Sequence, residues 1–212
     1  PADITGLTTL VYSGLKTGHV STLAELESTG FQTRLAQHFG VAQDEVTGCK
    51  TYGGHGEKMA VFKATIAVQG VKLTDILAGA TANGKGMTAE EWAEVQEHVR
   101  NGGARIIKLR GRSSYQSPSH QSIEMLRGRI QGGGYEWPCG AYFKDGPYAN
   151  VMMGADVDFT ADGLAGKTPQ GAPEDEAALL DSYQHIVKLR DQVIEMGVLP
   201  PVAEWNRFNP NL

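Results

Sequence analysis

The segment 51–57, Thr-Tyr-Gly-Gly-His-Gly-Glu, contains the residue types that point most directly to chemistry. Glycines on both sides of His55 let backbone approach closely and leave room for a ligand beside the imidazole. An imidazole in such a place can exchange protons near neutral pH. The alternative interpretation is a polar turn with an incidental histidine, because such tripeptides are common in loops. The residues alone leave both interpretations open.

Two further segments carry polar groups that could act beside this histidine. Leu26-Glu27-Ser28-Thr29 places a carboxylate next to apolar residues, where it could orient an imidazole or be a solvated charge. The segment 110–118 combines cations and hydroxyls before a predicted helix, and it could bind an anion or form a capped loop. Gly132-Gly133-Gly134 opens no new helix and predicts no phosphate loop. The six histidines do not fall at zinc spacings, so no metal is predicted.

The apolar spacing around these segments predicts helices mixed with antiparallel strands. Steps of three and four residues predict helices over 4–15, 23–39, 118–129 and 174–196. A capping box of Thr88 and Glu91 begins one more helix. β-rich runs predict strands within 61–68, 135–143 and 151–159, and Asp162-Gly163 predicts a turn. Without a regular βαβ rhythm, the predicted class is α+β, with long helices packed on antiparallel sheet.

The C-terminal third is predicted to be one long helix followed by a tail. The residues predicted to face inward from the helix are Ala177, Leu180, Tyr183, Val187, Val193 and Met196. Residues 199–212 are predicted to form an extended tail over the surface, with Trp205 and Phe208 as anchors. The whole range 1–212 is expected to be one domain.

Composition narrows the class of protein. The chain of 212 residues is 41% hydrophobic and 20% charged, with a net charge of −5, which is typical of a globular protein and does not favour nucleic acid as a partner. No apolar run is long enough to predict a membrane span. Cys49 and Cys139 make no disulfide framework, which favours a reducing compartment. Because the sequence starts at Pro1 and not at a methionine, we expect a processed chain or a fragment.

Taken in order, these segments resemble the C-terminal, substrate-binding part of malate dehydrogenases of the lactate/malate dehydrogenase superfamily, over essentially the whole chain. Pro1-Ala2-Asp3 resembles the end of that family's Asn-Pro-x-Asp stretch, and 26–29 lies where the family has Leu-Asp-Ser-x-Arg. Residues 53–57 match its Gly-(Gly/Glu)-His-Gly-(Asp/Glu) motif. Segments 104–108 and 113–115 match the following helix and substrate loop. The ending 209–212 is similar to that of Bacteroidetes-type enzymes.

The resemblance implies a function and assigns roles to residues. It implies an NAD-dependent malate dehydrogenase, an oxidoreductase of the tricarboxylic acid cycle that interconverts malate and oxaloacetate. His55 would be the acid/base, and Glu27 would hold its other nitrogen. Ser113 or Ser114 would line the substrate pocket. The resemblance also implies a homo-oligomer or a larger assembly, and we expect a cytoplasmic protein, with an organelle matrix as the alternative.

Three departures from the family pattern affect this expectation. The dinucleotide-binding half with its glycine-rich turn is absent from the sequence, so the cofactor-binding residues are unknown. Glu27 is one methylene longer than the family's aspartate. Gly30 stands where the family has the arginine that binds the substrate carboxylate, and Arg34, one helical turn further on, is the candidate substitute. The alternative function is therefore a catalytically inactive relative that acts as a structural or assembly subunit; lactate-type specificity also stays open.

Overall fold

The computed structural model describes residues 2–24, 26–56 and 58–212. Pro1 and Glu57, which belong to two of the segments above, lie outside the described residues, as does residue 25. The helices are α1 (Ala2–Ser13), α2 (Leu26–Phe39), α3 (Leu73–Leu77), α4 (Ala89–Arg100), α5 (Gly102–Arg110), α6 (Gln116–Gln131), α7 (Pro173–Glu195) and α8 (Trp205–Phe208). The strands are β1 (Val46–Thr47), β2 (Thr51–Tyr52), β3 (Ala60–Val61), β4 (Ala67–Val68), β5 (Val71–Lys72), β6 (Cys139–Phe143), β7 (Val151–Ala155), β8 (Val157–Thr160) and β9 (Gly163–Gly166).

The strands of the described chain pair antiparallel, in several small sheets. One sheet has the order β1-β4-β5, and the pairs β2-β3, β6-β7 and β8-β9 form the others. The β6-β7 ladder runs from Cys139 opposite Ala155 to Phe143 opposite Val151. This arrangement of helices with antiparallel strands confirms the predicted α+β class.

Two backbone bridges tie the candidate site to the β6-β7 hairpin. Gly53, just after β2, exchanges both backbone hydrogen bonds with Gly154 of β7, at 2.9 and 2.7 Å. Leu23, shortly before α2, bridges Cys139 at the start of β6. The residues after β2 and those before α2 are therefore held by the same hairpin.

The first two helices form because their apolar residues recur on one side. The buried apolar residues of these helices are Ile4, Leu7, Leu10 and Val11 in α1 and Phe31, Leu35 and Phe39 in α2. α4 packs across α2, with the ring centroids of Phe31 and Trp92 5.7 Å apart. The predicted capping box of α4 is confirmed, because the amides of Thr88 and Glu91 each donate to the other's side chain, at 2.8 and 3.1 Å.

The long last helix is confirmed, and its predicted buried face is confirmed in part, because Tyr183, Val187 and Val193 pack half-buried against the core. Leu180 is 46% exposed and Met196 is 74% exposed. The buried residues of α7 are Asp175, Leu179, Ser182 and Ile186. Apolar spacing missed the centre of this face because two of its residues are polar and bind backbone amides of the neighbouring segments.

The run 151–159 forms two strands instead of one, because Asp156 lies between β7 and β8 and binds other groups. Its carboxylate accepts hydrogen bonds from the Lys50 ammonium and the Tyr52 hydroxyl, both at 2.8 Å. These bonds fix β2, the strand that leads to His55, against the end of β7.

The tail after α7 is not extended throughout, because it contains a 3-10 turn (Val202–Glu204) and α8. Trp205 is 2% exposed, which confirms it as an anchor, and Phe208, although 44% exposed, packs edge-on against Tyr12 of α1 with ring centroids 5.4 Å apart. A further anchor is Asn209, which is fully buried and donates to the carbonyls of Leu10 and Leu15 at 2.7 and 2.8 Å. Polar bonds and an aromatic contact to the end of α1 thus hold the tail together.

Candidate active site

His55 lies on a short turn that leaves β2. Gly53 has a φ of +80°, and a Cβ at this position would collide with the Ser182 hydroxyl oxygen, so only glycine fits. The same hydroxyl, on α7, accepts a hydrogen bond from the amide of Gly54 at 2.9 Å. The turn is therefore fixed by β7 on one side and by α7 on the other, and both hold the histidine in place.

The carboxylate of Asp3 holds His55 through two hydrogen bonds. The ring Nδ1–H donates to Oδ1 at 2.8 Å, and the backbone N–H of the same histidine donates to Oδ2 at 2.9 Å. Asp3 lies in the first turn of α1 and is only 3% exposed. The partner of Nδ1 in the structure is thus Asp3, and not Glu27 as the resemblance implied.

The other ring nitrogen of His55 faces a backbone carbonyl. Nε2 contacts the carbonyl oxygen of Leu23, the residue that bridges Cys139. A carbonyl oxygen only accepts, so this contact requires a proton on Nε2. These two acceptors suit the imidazolium form, in which both nitrogens donate and the ring can give a proton to an acceptor.

The electrostatics of His55 agree with a protonated ring. Burial lowers its pKa, but the hydrogen bond to Asp3, the charge of Asp3 and the charge of Glu27 outweigh burial, and the pKa is raised above its ordinary value. The ring is therefore a stronger base than an ordinary histidine, and it keeps its proton to higher pH.

Glu27, in the first turn of α2, lies beside His55 without a hydrogen bond to the ring. Burial raises the pKa of this carboxyl, against the lowering effect of the charge of His55 and of a bond to its own backbone amide. The charge of Asp3 raises the pKa further. Glu27 thus acts on the histidine through its charge, at a cost in desolvation.

The space beside these groups is small. A cavity of about 10 Å³ is lined by Ala24, Glu27, Thr51, Tyr52, Gly53, Gly54, His55 and Met59. This volume holds about one water molecule. Among the described residues, a larger ligand reaches the ring by taking the place of the Leu23 carbonyl or by displacing the residues that line the cavity.

The remaining predicted site residues lie elsewhere. Arg34 lines a separate groove of about 260 Å³ between α2 and α4, where it donates to the side chain of Gln37 at 3.1 Å. Seven residues separate it from Glu27, which is two helical turns, or about 10 Å. Ser113 is exposed and Ser114 is half-buried, in the turn between α5 and α6. Within the described part of the chain, none of these three lines the His55 cavity, and their substrate role stays a prediction.

Gly30, the position of the expected arginine, faces a neighbouring helix. A Cβ at Gly30 would lie 3.3 Å from a γ-methyl of Val99 on α4. The direction in which a side chain would leave this position is thus toward packed α4. Residues 2–24, 26–56 and 58–212 also contain no His, Cys, Asp or Glu cluster able to hold a metal ion. In the same residues, no helix combines the length and the apolar composition that crossing a membrane needs.

Sequence reasoning missed three groups of this site. Asp3 lies in a segment that the resemblance included without giving it a role, and Ser182 is not among the residues predicted to face inward from its helix. The Leu23 carbonyl is a backbone group, for which the side-chain pattern carries no signal. For Asp3, the sequence carries one signal, which is the position of a carboxylate in Pro1-Ala2-Asp3 just before a helical pattern.

Comparison with known proteins assigns the family. The model of the lactate/malate dehydrogenase alpha/beta C-terminal domain matches residues 24–152, and the chain belongs to this family. A malate dehydrogenase from a Nitratiruptor species is 31% identical over 128 residues, which is 59% of this chain and 36% of that protein.

Solved structures share the fold. The malate dehydrogenase of Plasmodium falciparum in complex with NADH superimposes with a TM-score of 0.82 at 21% identity, covering 92% of this chain and 64% of that one. The lactate dehydrogenase of Cryptosporidium parvum gives a TM-score of 0.78 at 23% identity, covering 90% and 63%. The chain thus spans about a third of the curated relative and less than two thirds of these solved chains.

Proposed function

We propose that this chain is the substrate-side, proton-transferring part of an NAD-dependent malate dehydrogenase, in which malate and NAD are converted to oxaloacetate and NADH. The observation that carries the proposal is His55 held by Asp3 at the edge of a small cavity. A half-buried histidine with a carboxylate on one nitrogen and a carbonyl oxygen on the other is suited to proton transfer at a hydroxyl or ketone oxygen.

The proposed role of His55 follows from the contacts of its two nitrogens. Nε2 accepts the proton of the substrate's 2-hydroxyl group during oxidation and returns it to the ketone oxygen during reduction. The two carboxylates, Asp3 and Glu27, stabilise the imidazolium that forms. The ketone oxygen of the reduction substrate accepts from Nε2–H in place of the Leu23 carbonyl, whereas the hydroxyl of the oxidation substrate donates to Nε2 of the neutral ring.

The described residues do not fit a dinucleotide cofactor by themselves. Their strand pairs are antiparallel, and the His55 cavity has room for about a water molecule. A dinucleotide site of the Rossmann type needs parallel strands joined by a glycine-rich turn and a helix. We therefore assign to this chain the proton transfer alone, and we propose that NAD is held mainly by residues that this sequence does not include.

Recognition of the substrate carboxylates also needs more than these residues. His55 is the only cationic side chain among the residues described around the cavity. Arginine bound to a carboxylate in two-pronged fashion is the usual solution, and Gly30 cannot supply it. The preference for malate over a lactate-type substrate is proposed from the resemblance and from the matched malate dehydrogenase, and not from the pocket.

A second candidate function is that of a structural or assembly subunit without turnover. Two observations favour it: Gly30 is packed against Val99, and the Leu23 carbonyl occupies the reactive nitrogen of His55. Under this alternative, activity returns only when Glu27→Asp and Gly30→Arg are combined.

We also propose that the protein works as a homo-oligomer or in a larger assembly, in the cytoplasm or an organelle matrix. Large apolar side chains on α5 and α6 support an assembly, because Leu109 is 82% exposed, Leu126 57% and Ile130 76%. Apolar exposure of this extent on neighbouring helices is typical of surfaces that become covered.

The test is NADH oxidation by the full-length protein purified from its source, with oxaloacetate and with pyruvate in parallel. Oxaloacetate-dependent loss of NADH is the expected result, and activity with pyruvate alone would replace malate with a lactate-type substrate. NADH binding without turnover of either ketone would contradict the proposal and support the subunit without chemistry. The subunit mass of the same sample shows whether the cofactor-binding residues belong to this polypeptide or to a partner.

A further inference from the structure

Two carboxylates lie near the ring of His55, and the structure gives them different contacts. Asp3 bonds directly to Nδ1 and to the backbone amide of the histidine. Glu27, which the sequence pattern assigns to Nδ1, has its own backbone amide as a bonding partner and contributes to His55 as a nearby charge. The carboxylate that fixes the ring is therefore not the one that the family motif indicates.

Asp3 lies on a helix that is packed into the core. It belongs to α1, whose residues Ile4, Leu7 and Leu10 are at most 6% exposed. A carboxylate in the first turn of a helix is also stabilised by the helix dipole. A side chain on such an element holds its partner within narrow limits, as proton transfer requires.

The two bonds of Asp3 restrict the histidine in two ways. One oxygen on the backbone amide and the other on the ring fix the rotation of the side chain. The bond to Nδ1–H is charge-assisted, whereas the contact of Nε2 with Leu23 is to a neutral carbonyl, so the first is the stronger. When the imidazolium loses one proton, Nδ1 keeps its proton and Nε2 becomes the free base.

We infer that Asp3 is the positioning residue of His55, which sets the ring orientation and leaves Nε2 as the proton-transferring atom, and that Glu27 contributes charge without setting the tautomer. This inference rests on the proposed function for its catalytic meaning. Its structural content, the tautomer of the neutral ring, is measurable without any turnover.

The experiment compares Asp3→Asn with Glu27→Gln, a matched pair in which each variant loses one carboxylate charge and keeps the side-chain shape. The full-length protein is labelled with ¹⁵N in its histidine rings, and the His55 signals are identified by their loss in His55→Asn. NMR spectra over a pH series then report the ring pKa and, above it, which nitrogen keeps the proton.

In the unmodified protein and in Glu27→Gln we expect the neutral ring to carry its proton on Nδ1. In Asp3→Asn we expect that preference to be lost and the pKa of His55 to fall, because the hydrogen bond and the charge of Asp3 both raise it. The opposite result, with the tautomer changed by Glu27→Gln and kept in Asp3→Asn, would overturn the inference. If Asp3→Asn does not fold, the spectra of the unmodified protein test the inference by themselves. A neutral ring that carries its proton on Nε2 would overturn the inference as well. Absence of turnover with oxaloacetate would count against the proposed function and leave the tautomer result unaffected.

Discussion

Gly30 of α2 lies against Val99 of α4 so closely that a Cβ on the glycine would be 3.3 Å from a γ-methyl of the valine. The two helices thus approach each other where the family pattern has a long cationic side chain. The contact accounts for a glycine inside a helix, where it otherwise costs about 1 kcal/mol relative to alanine.

We predict that Gly30→Ala gains less stability in the natural background than in a Val99→Ala background. Alanine improves the helix by up to about 1 kcal/mol, but its methyl group pushes on Val99 unless that side chain is shortened. Urea unfolding of the four variants should give a coupling of about 0.5 kcal/mol or more. Val95→Ala, a buried valine one turn earlier on α4, is the matched control, with which the effects should add. Additive effects with Val99→Ala would contradict the contact.

The histidine itself is expected to be needed for turnover and not for folding. His55→Asn keeps a side chain of similar size in the turn but removes proton transfer, and we expect the rate of oxaloacetate reduction to fall by about 100- to 10,000-fold. The rate is compared with that of His120→Asn, a change at an exposed histidine on α6. Full activity of His55→Asn would remove the basis of the proposed mechanism.

Stability should depend on pH through His55. Burial lowers its pKa, but the hydrogen bond and charge of Asp3 and the charge of Glu27 raise the pKa above 6.5 in the folded state. The folded protein therefore binds this proton more tightly than the unfolded chain does. Its contribution to the free energy of unfolding is complete below 6.5 and is lost as the pH rises through the folded pKa.

This dependence is measured as the difference between the unmodified protein and His55→Asn. Urea unfolding from about pH 6 to about pH 9 should show that difference shrinking as the pH rises. Burial also raises the pKa of Glu27, but the contribution of Glu27 to stability changes over a pH range that begins lower, at 4.5. A difference that grows with pH would reverse the sign of the argument.

Ser182 is expected to stabilise the turn that carries His55. Its side chain is fully buried and accepts the hydrogen bond of the Gly54 amide, so Ser182→Ala leaves a buried N–H without that partner. We expect a loss of about 1–3 kcal/mol in the free energy of unfolding. Ser117→Ala, at an exposed position, should change it by less than about 0.5 kcal/mol. Equal effects of the two changes would show that the bond does not hold the turn.

The sequence was sufficient for most of the secondary structure because the signals there are local. The capping box of Thr88 and Glu91 and the apolar spacing of α1 and α2 involve residues within a few positions of each other. Strands were less well bounded, as Asp156 shows, because its contacts to Lys50 and Tyr52 cross about a hundred positions. Only the folded chain reveals such partners.

The candidate site was predicted in part, for the same reason. His55 was identified from its glycine neighbours, and Glu27 from a family motif, and both line one cavity. The bond of Asp3 to His55 joins residues 52 positions apart. Whether Asp3 or Glu27 bonds to the ring depends on which of the two helices, α1 or α2, begins next to the ring. The periodicity of apolar residues does not specify this. Ser182 was missed because a polar residue on a buried helix face looks like a residue of the exposed face.

The carbonyl of Leu23 gives the histidine a neighbour that resembles the oxygen of a 2-oxo acid. A peptide carbonyl and a ketone accept a proton donor in the same way, so the chain's own backbone behaves as an internal competitor for Nε2. Any ligand that bonds through this nitrogen binds with its intrinsic affinity multiplied by the fraction of molecules in which residues 20–24 have moved aside. The affinity of a ligand at this site therefore depends on two quantities. One is the fit of the ligand, and the other is the stability of the Leu23–Cys139 bridge, which keeps that backbone segment in place.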